Sequence, residues 1–301
     1  MKKIFTFTII ALMLGLTQTG SAEFSLPFNG FLEYDLGSRI VSNEKKPDDI
    51  ILNEATFRME LSKDTDIAAF NFTGDFRYDA YLNKAELHIR EATVDLFAYD
   101  SWELKAGPQI LTWGTGDLLF INDLFPKDWQ SFFLGRDDEY LKAPSTTLKL
   151  SIFSGFGDIN AVVTPIFTSD TYIDGERMSY WGMGGITGDN FAAETPEKTW
   201  ENAEYALRFA NNISGVELAL YGYKGFFKRP LGFDPEQELG IFPELEVYGA
   251  CVRTQLFGGI FNIESGYYDS LDDRDGTDPF LANSLFKNLV GFEKELRQNF
   301  T

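Results

Sequence analysis

Between Phe70 and Asp79 the side chains alternate strictly. Phe70, Phe72, Phe76 and Tyr78 share one parity, while Asn71, Thr73, Asp75, Arg77 and Asp79 share the other. Successive side chains of an extended strand face opposite sides, so this stretch predicts a strand with one apolar and one charged face. Two segments repeat the pattern: Ala92, Val94, Leu96 and Ala98 oppose Glu91, Thr93 and Asp95, and Trp102, Leu104, Ala106, Pro108 and Ile110 oppose Glu103, Lys105 and Gln109. A sheet built this way must set its apolar face against either a packed core or lipid. Alternation alone leaves a soluble sandwich and a barrel wall both open.

The spacing of turns separates the two. Twelve strands are predicted, near 28–40, 52–62, 68–79, 88–99, 102–113, 146–153, 159–167, 203–211, 216–225, 245–257, 260–268 and 285–293. Lys63 to Asp66, Asp100-Ser101, Ser154 to Asp158, Asn212 to Gly215 and Gly258-Gly259 are tight connections. The intervening ones, 41–51, 80–87, 114–145, 168–202, 226–244 and 269–284, are longer. Short periplasmic turns alternating with long outer loops is how outer-membrane barrels are organised. The expected fold is therefore all-β, an antiparallel transmembrane up-and-down barrel with a periplasmic N-terminus. Strand twelve is followed by a turn-like 293–299 and then Phe300-Thr301, the start of a further strand. The twelve strands are thus expected to belong to a barrel of about 14 to 18.

The first residues fit export. Lys2-Lys3, the apolar run Ile4 to Leu16 and the small residues Gly20-Ser21-Ala22 read as a Sec signal peptide, 1–22, cleaved after Ala22 and followed by a barrel over 23–301. The run is shorter than the roughly 20 residues a spanning helix needs, and no later window reaches that length although hydrophobic residues make up 44% of the chain. Removing the two lysines makes the formal charge of −20 more negative still. Such a chain repels nucleic acid and favours cationic partners. The single cysteine, Cys251, excludes an internal disulfide framework. The cell outer membrane is the expected location, with lipid and lipopolysaccharide as surroundings. Tyr34, Tyr78, Tyr81, Tyr99, Trp102, Trp113, Tyr221, Tyr223, Tyr267 and Tyr268 fall near strand ends, where a headgroup-level girdle would place them.

The stretch Gly107-Pro108-Gln109-Ile110-Leu111-Thr112-Trp113-Gly114, continuing through Asp117 and Ile121-Asn122-Asp123-Leu124-Phe125-Pro126, resembles a porin-like family of Gram-negative barrels near the alginate-export and other substrate porins. Tyr248-Gly249-Ala250 and Glu264-Ser265-Gly266-Tyr267-Tyr268-Asp269 look similar too. The resemblance implies a wall with an inward-folded loop and passive or substrate-selective diffusion, with no catalytic residue and no cofactor to carry over. It also makes a homotrimer an expected assembly.

If the apolar parity meets lipid, the other parity lines a pore: Glu33, Asp35, Arg39, Glu54, Arg58, Glu60, Asp75, Arg77, Asp79, Glu91, Asp95, Glu103, Lys105, Lys149, Glu204, Arg208 and Glu264. Eleven acids against six bases would favour small hydrophilic or cationic solutes. The plainer alternative is that these charges pair across strands and stiffen the wall. Loop 114–145 is the expected constriction, with Asp117, Asp123, Asp128, Arg136 and Asp137 among its charged residues, beside Lys127, Asp138, Glu139 and Lys142, and with Pro126 to Leu134 as a short helix; the plainer alternative is an outer loop covering the rim. Asp273, Asp275 and Asp278 around Gly276 have a spacing that suits calcium, or simply a solvated acidic loop. His88, the only histidine, falls on the apolar parity with Arg90, which puts Arg90 toward lipopolysaccharide phosphates and leaves no catalytic constellation. Two functions follow: a porin with a polar, net acidic lumen, or a non-conducting interaction barrel whose long acidic loops bind a partner or surface polymer.

Overall fold

The computed structural model describes residues 6–8, 28–116, 118–182 and 184–296. Twelve long strands form one antiparallel meander in chain order: β1 Phe28–Ser38, β2 Ile50–Asp64, β3 Ala68–Asp79, β4 Lys84–Tyr99, β5 Trp102–Gln109, β6 Ser145–Ser154, β7 Gly157–Thr164, β8 Glu204–Ile213, β9 Val216–Phe226, β10 Glu244–Leu256, β11 Gly259–Ser270 and β12 Leu285–Glu293. β1 and β12 are not paired with each other; a three-residue strand, Thr6–Thr8, pairs with β1. The rest of the predicted leader and the segment from 297 to 301 lie outside the described residues. Among the described residues no helix is long and apolar enough to cross a membrane.

The two faces of the sheet are inverted relative to a water-soluble sandwich. Glu54, Thr56 and Arg58 of β2 and Asp75, Arg77 and Asp79 of β3 are buried, while Phe57, Phe76 and Tyr78 between them are exposed. The predicted parity therefore holds, with the charged residues on the covered face.

One register shift changes that parity locally. Thr73 pairs with Glu91 but Gly74 pairs with Ile89, so Arg90 is the extra residue of a β-bulge. On the N-terminal side of the bulge the faces swap: Leu87 and Ile89 point outward, and His88 stands across from Asp75 on the inner face. The expectation that His88 and Arg90 face outward is therefore wrong, because a single inserted residue in a period of two reverses everything before it. Starting β4 at Lys84 also shortens the predicted 80–87 loop to four residues, 80–83.

Three other boundaries differ from expectation. β5 ends at Gln109, after Gly107 at φ 125°, so Ile110 to Trp113 leave the sheet. β7 ends at Thr164 and not at 167, because Pro165 has no N–H to give to the ladder. The last tight turn is Phe257-Gly258, both at positive φ (52° and 75°), and Gly259 belongs to β11. Gly259 is needed there because a side chain would strike the carbonyl oxygen of Glu293 on β12.

The aromatic residues divide between the faces. Tyr34, Tyr78 and Tyr267 are outward and exposed, but Tyr221, Tyr223 and Tyr268 are buried on the inner face and Trp113 packs with them. Those four are not girdle residues; the side chains of Tyr99 lie outside the description. Beyond the sheet, the long connections carry small strands of their own, a hairpin of Tyr180–Gly182 with Gly185–Thr187 and a three-stranded patch of Ala193–Glu194, Leu239–Ile241 and Gly232–Asp234.

Candidate functional site: a loop clamped against the inner face

The long connection between β5 and β6 turns inward and is held at three places. The first is Glu264 of β11, which has no exposed surface. Its carboxylate accepts from the backbone N–H groups of Thr115 (2.7 Å), Gly116 (3.1 Å) and Asn122 (2.8 Å) and from the Thr115 hydroxyl (2.9 Å). Close approach here depends on Gly249 of β10, where any Cβ would collide with the Asn122 side chain. The Tyr268 hydroxyl donates to the Ile121 carbonyl at 2.5 Å.

The second clamp joins two loops. Asp170 accepts from the Lys127 N–H and from Trp129 Nε1, each at 2.8 Å. Lys127 Nζ reaches Asp123 at 2.9 Å and the Phe125 carbonyl at 2.7 Å. Burial pushes the Lys127 amine below its ordinary pKa, against the opposing pull of Asp123, and pushes the Asp170 carboxyl above its own. Following this clamp is the predicted short helix, α1 Trp129–Leu134, capped by Asp128, which accepts from the Ser131 N–H at 2.8 Å, and closed by Gly135 at φ 78°.

The third clamp fixes Arg136 to Tyr140 against β2 to β4. Arg136 grips Glu54 with two hydrogen bonds, 2.9 and 2.5 Å, and Arg177 from the 165–203 connection reaches the same carboxylate at 3.2 Å. Arg177 also pairs with Asp79, and Arg77 lies 3.6 Å from Glu54. Alongside, Arg58 makes a two-point contact with Asp75 at 2.6 and 2.7 Å and another with Glu139 at 2.7 and 2.9 Å. The Tyr140 ring is ringed by Arg58, Arg77 and Arg90 at 5.4, 5.0 and 4.8 Å, and burial beside Asp75 raises its phenol so that it stays neutral. Arg90 donates to the Glu139 carbonyl at 2.9 Å.

Glu264 on β11 and Glu54 on β2, near opposite ends of the strand order, thus grip the same loop. The inner face is accordingly divided. Toward β2 to β5 it is ionic, with Lys105 bridging Glu91 (2.6 Å) and Asp95 (3.3 Å), and a cavity of about 400 Å³ lies among Arg58, Glu60, Arg90, Glu91, Lys105 and Glu139. Toward β7 to β11 it is apolar: Leu111 and Phe125 of the loop pack with Val162, Ala206, Tyr223, Val247 and Tyr268.

Glu33, Asp35, Glu103, Lys149 and Arg208 lie on the covered face, registered across from Thr56, Glu54, Ser151, Lys105 and Tyr221. The pairing alternative is realised for Arg58, Asp75, Arg77, Glu91, Asp95 and Lys105. Within the loop, Asp123 and Asp128 serve the loop's own structure, Arg136 is a wall anchor, and exposed Asp137 caps a short 3-10 turn by accepting from the Glu139 N–H at 2.9 Å. Asp117 lies outside the described residues. Asp273, Asp275 and Asp278 do not gather: Asp273 accepts from the N–H groups of Thr277 and Asp278 at 2.9 and 3.2 Å, and among the described residues no three acidic, histidine or cysteine side chains are grouped to hold a metal. Arg177, Tyr140, Asp170 and the apolar half of the inner face are parts of the clamps and their packing that alternation did not reveal. In comparisons with family models and with curated proteins, the chain matches none.

Proposed function

We propose that the sheet forms the wall of an outer-membrane β-barrel and that the clamped loop narrows a channel for small hydrophilic solutes. The inverted burial carries this reading. Leu32, Leu36, Phe57, Phe76, Leu87, Leu207, Leu220 and Phe286 are all exposed on one face of the sheet, an apolar area that water tolerates only in small patches and that lipid favours. The covered face holds carboxylates and guanidiniums instead. Strand lengths of 8 to 16 residues match tilted spans of about 9–11. The remaining path runs on the ionic side, between β2 to β5 and the loop segment around Glu139.

Planar-bilayer recordings test it. Steady openings that prefer cations are the expected result, given the acidic excess on the inner face. A folded, heat-modifiable protein that never conducts would replace the channel with the interaction-barrel reading, which the loop's three clamps and its apolar packing also favour.

The outward face gives a second test. Leu220 of β9, 59% exposed, faces lipid in this reading, so Leu220→Arg is expected to lower stability in vesicles by about 2–4 kcal/mol if it lies near the midplane. Denaturant titration of folding into lipid vesicles measures this. A cost below about 0.5 kcal/mol, as for a surface substitution in water, would argue against a lipid-facing wall.

A further inference from the structure

Beside the loop, between it and β9 to β12, lies a cleft of about 570 Å³, within the range of small-molecule sites. Phe120, Leu124, Phe227, Leu245, Tyr268 and Leu285 form much of its wall. Leu118 and Leu119, also lining it, are 54% and 61% exposed. Four cations line the same cleft, Lys127, Lys228, Arg229 and Lys287, against two carboxylates, Asp123 and Asp170. In a chain of formal charge −20, a cationic apolar hollow calls for an explanation.

The four cations are not equivalent. Lys127 is held by Asp123, and Lys228 is held by Glu204 at 2.6 and 2.7 Å. The carboxylates are equally engaged, Asp123 by Lys127 and by the Thr112 hydroxyl at 2.7 Å, Asp170 by Lys127 N–H and Trp129. Arg229 and Lys287 remain. Among the described residues neither has an acidic partner within 4.0 Å. Lys287 lies 3.8 Å over the Tyr268 ring, near enough to Arg229 to feel its charge. Two like charges facing one apolar cleft repel each other unless an anion sits between them.

We propose that this cleft binds an amphiphilic carboxylate, its head between Arg229 and Lys287 and its apolar body along Phe120, Leu124 and Leu285. A guanidinium offers the two-point geometry a carboxylate prefers, and the ammonium adds a point charge. A bare anion would leave the leucines without purpose; a neutral apolar molecule would leave the two cations unanswered. This site is independent of conduction, which the bilayer recordings read separately.

The test is calorimetric titration of the folded protein in non-ionic detergent with octanoate, octanol and acetate, each corrected for the detergent alone. Octanoate is expected to bind saturably, with octanol and acetate at least tenfold weaker. Arg229→Met with Lys287→Met should weaken octanoate at least tenfold, leave octanol unchanged and, since neither side chain holds an acidic partner and the Lys287 contact with the Tyr268 ring is one an apolar methionine also makes, keep the unfolding midpoint near that of the parent. Octanol matching octanoate would reduce the site to apolar partitioning, and acetate matching octanoate would reduce it to a simple anion site. Either result, or an unaltered double variant, overturns the proposal.

Discussion

Replacing Glu54 by alanine is expected to destabilise the protein by about 3–5 kcal/mol, the cost of leaving buried charge without its partner. The carboxylate is 1% exposed and stands among Arg136, Arg177 and Arg77, whose side chains are 7%, 5% and 9% exposed. Asp79 retains Arg177 and Asp128 lies 4.0 Å from Arg136, but three guanidiniums would then share two acids that already have other tasks. An exposed pair sets the scale. Lys84 and Glu176 meet at 3.1 Å with side chains 49% and 39% exposed, and Glu176→Ala should cost no more than about 1 kcal/mol. Chemical denaturation of both variants measures the contrast. A double variant with Arg136→Ala should recover part of the loss, because the site then carries one cation fewer to leave unpaired. Equal and small effects at Glu54 and Glu176 would show that water enters the cluster freely.

Strand existence was legible because each strand carries its own signal. The twelve strands lie within a few residues of their predicted positions, and the parity of Phe76 against Asp75 and Arg77 holds across the sheet. Local pattern failed where the information is not local. The bulge at Arg90 is marked only by a phase shift, with Leu87 and Ile89 on one parity, Ala92 and Val94 on the other and the polar pair Arg90-Glu91 between, and extending the later alternation backward overlooks it and puts His88 on the wrong face. Tyr221 and Tyr223 fell on a strand end and so resembled girdle residues; their partners, the Cys251 thiol at 3.2 Å and the Glu204 carboxylate at 2.5 Å, lie on neighbouring strands. In the loop, the acids were visible but not their tasks. Asp123 and Asp128 sit in turn and cap positions whose donors come from nearby in the chain, within four residues apart from the Thr112 hydroxyl on Asp123, whereas Arg136 and Glu139 find partners more than eighty residues away. A charge pattern along the chain cannot tell a capping aspartate from one that faces solvent.

Glu264→Ala is the sharpest test of the loop itself. Its carboxylate alone satisfies the Thr115, Gly116 and Asn122 N–H groups, and a buried donor left without a partner costs about 1–3 kcal/mol. Water admitted into the space of the missing side chain offsets part of the sum, so a local loss of about 3 kcal/mol is expected. The effect should stay local because α1 and the Arg136 to Tyr140 segment are held by other clamps. Amide exchange at those three residues should therefore speed up about a hundredfold, since each 1.4 kcal/mol is a factor of ten, while exchange in β2 and β3 stays near that of the parent. In the channel reading the same variant should show noisier openings with a larger mean conductance, because residues 115–122 are then free to leave the wall. Glu264→Gln separates charge from shape: its one carbonyl oxygen can serve two of the donors, but its amide faces the third, so exchange should fall between the two. Unchanged exchange in the alanine variant would mean that Tyr268, Gly249 and the apolar packing of Leu111 and Phe125 hold this part of the loop without the carboxylate.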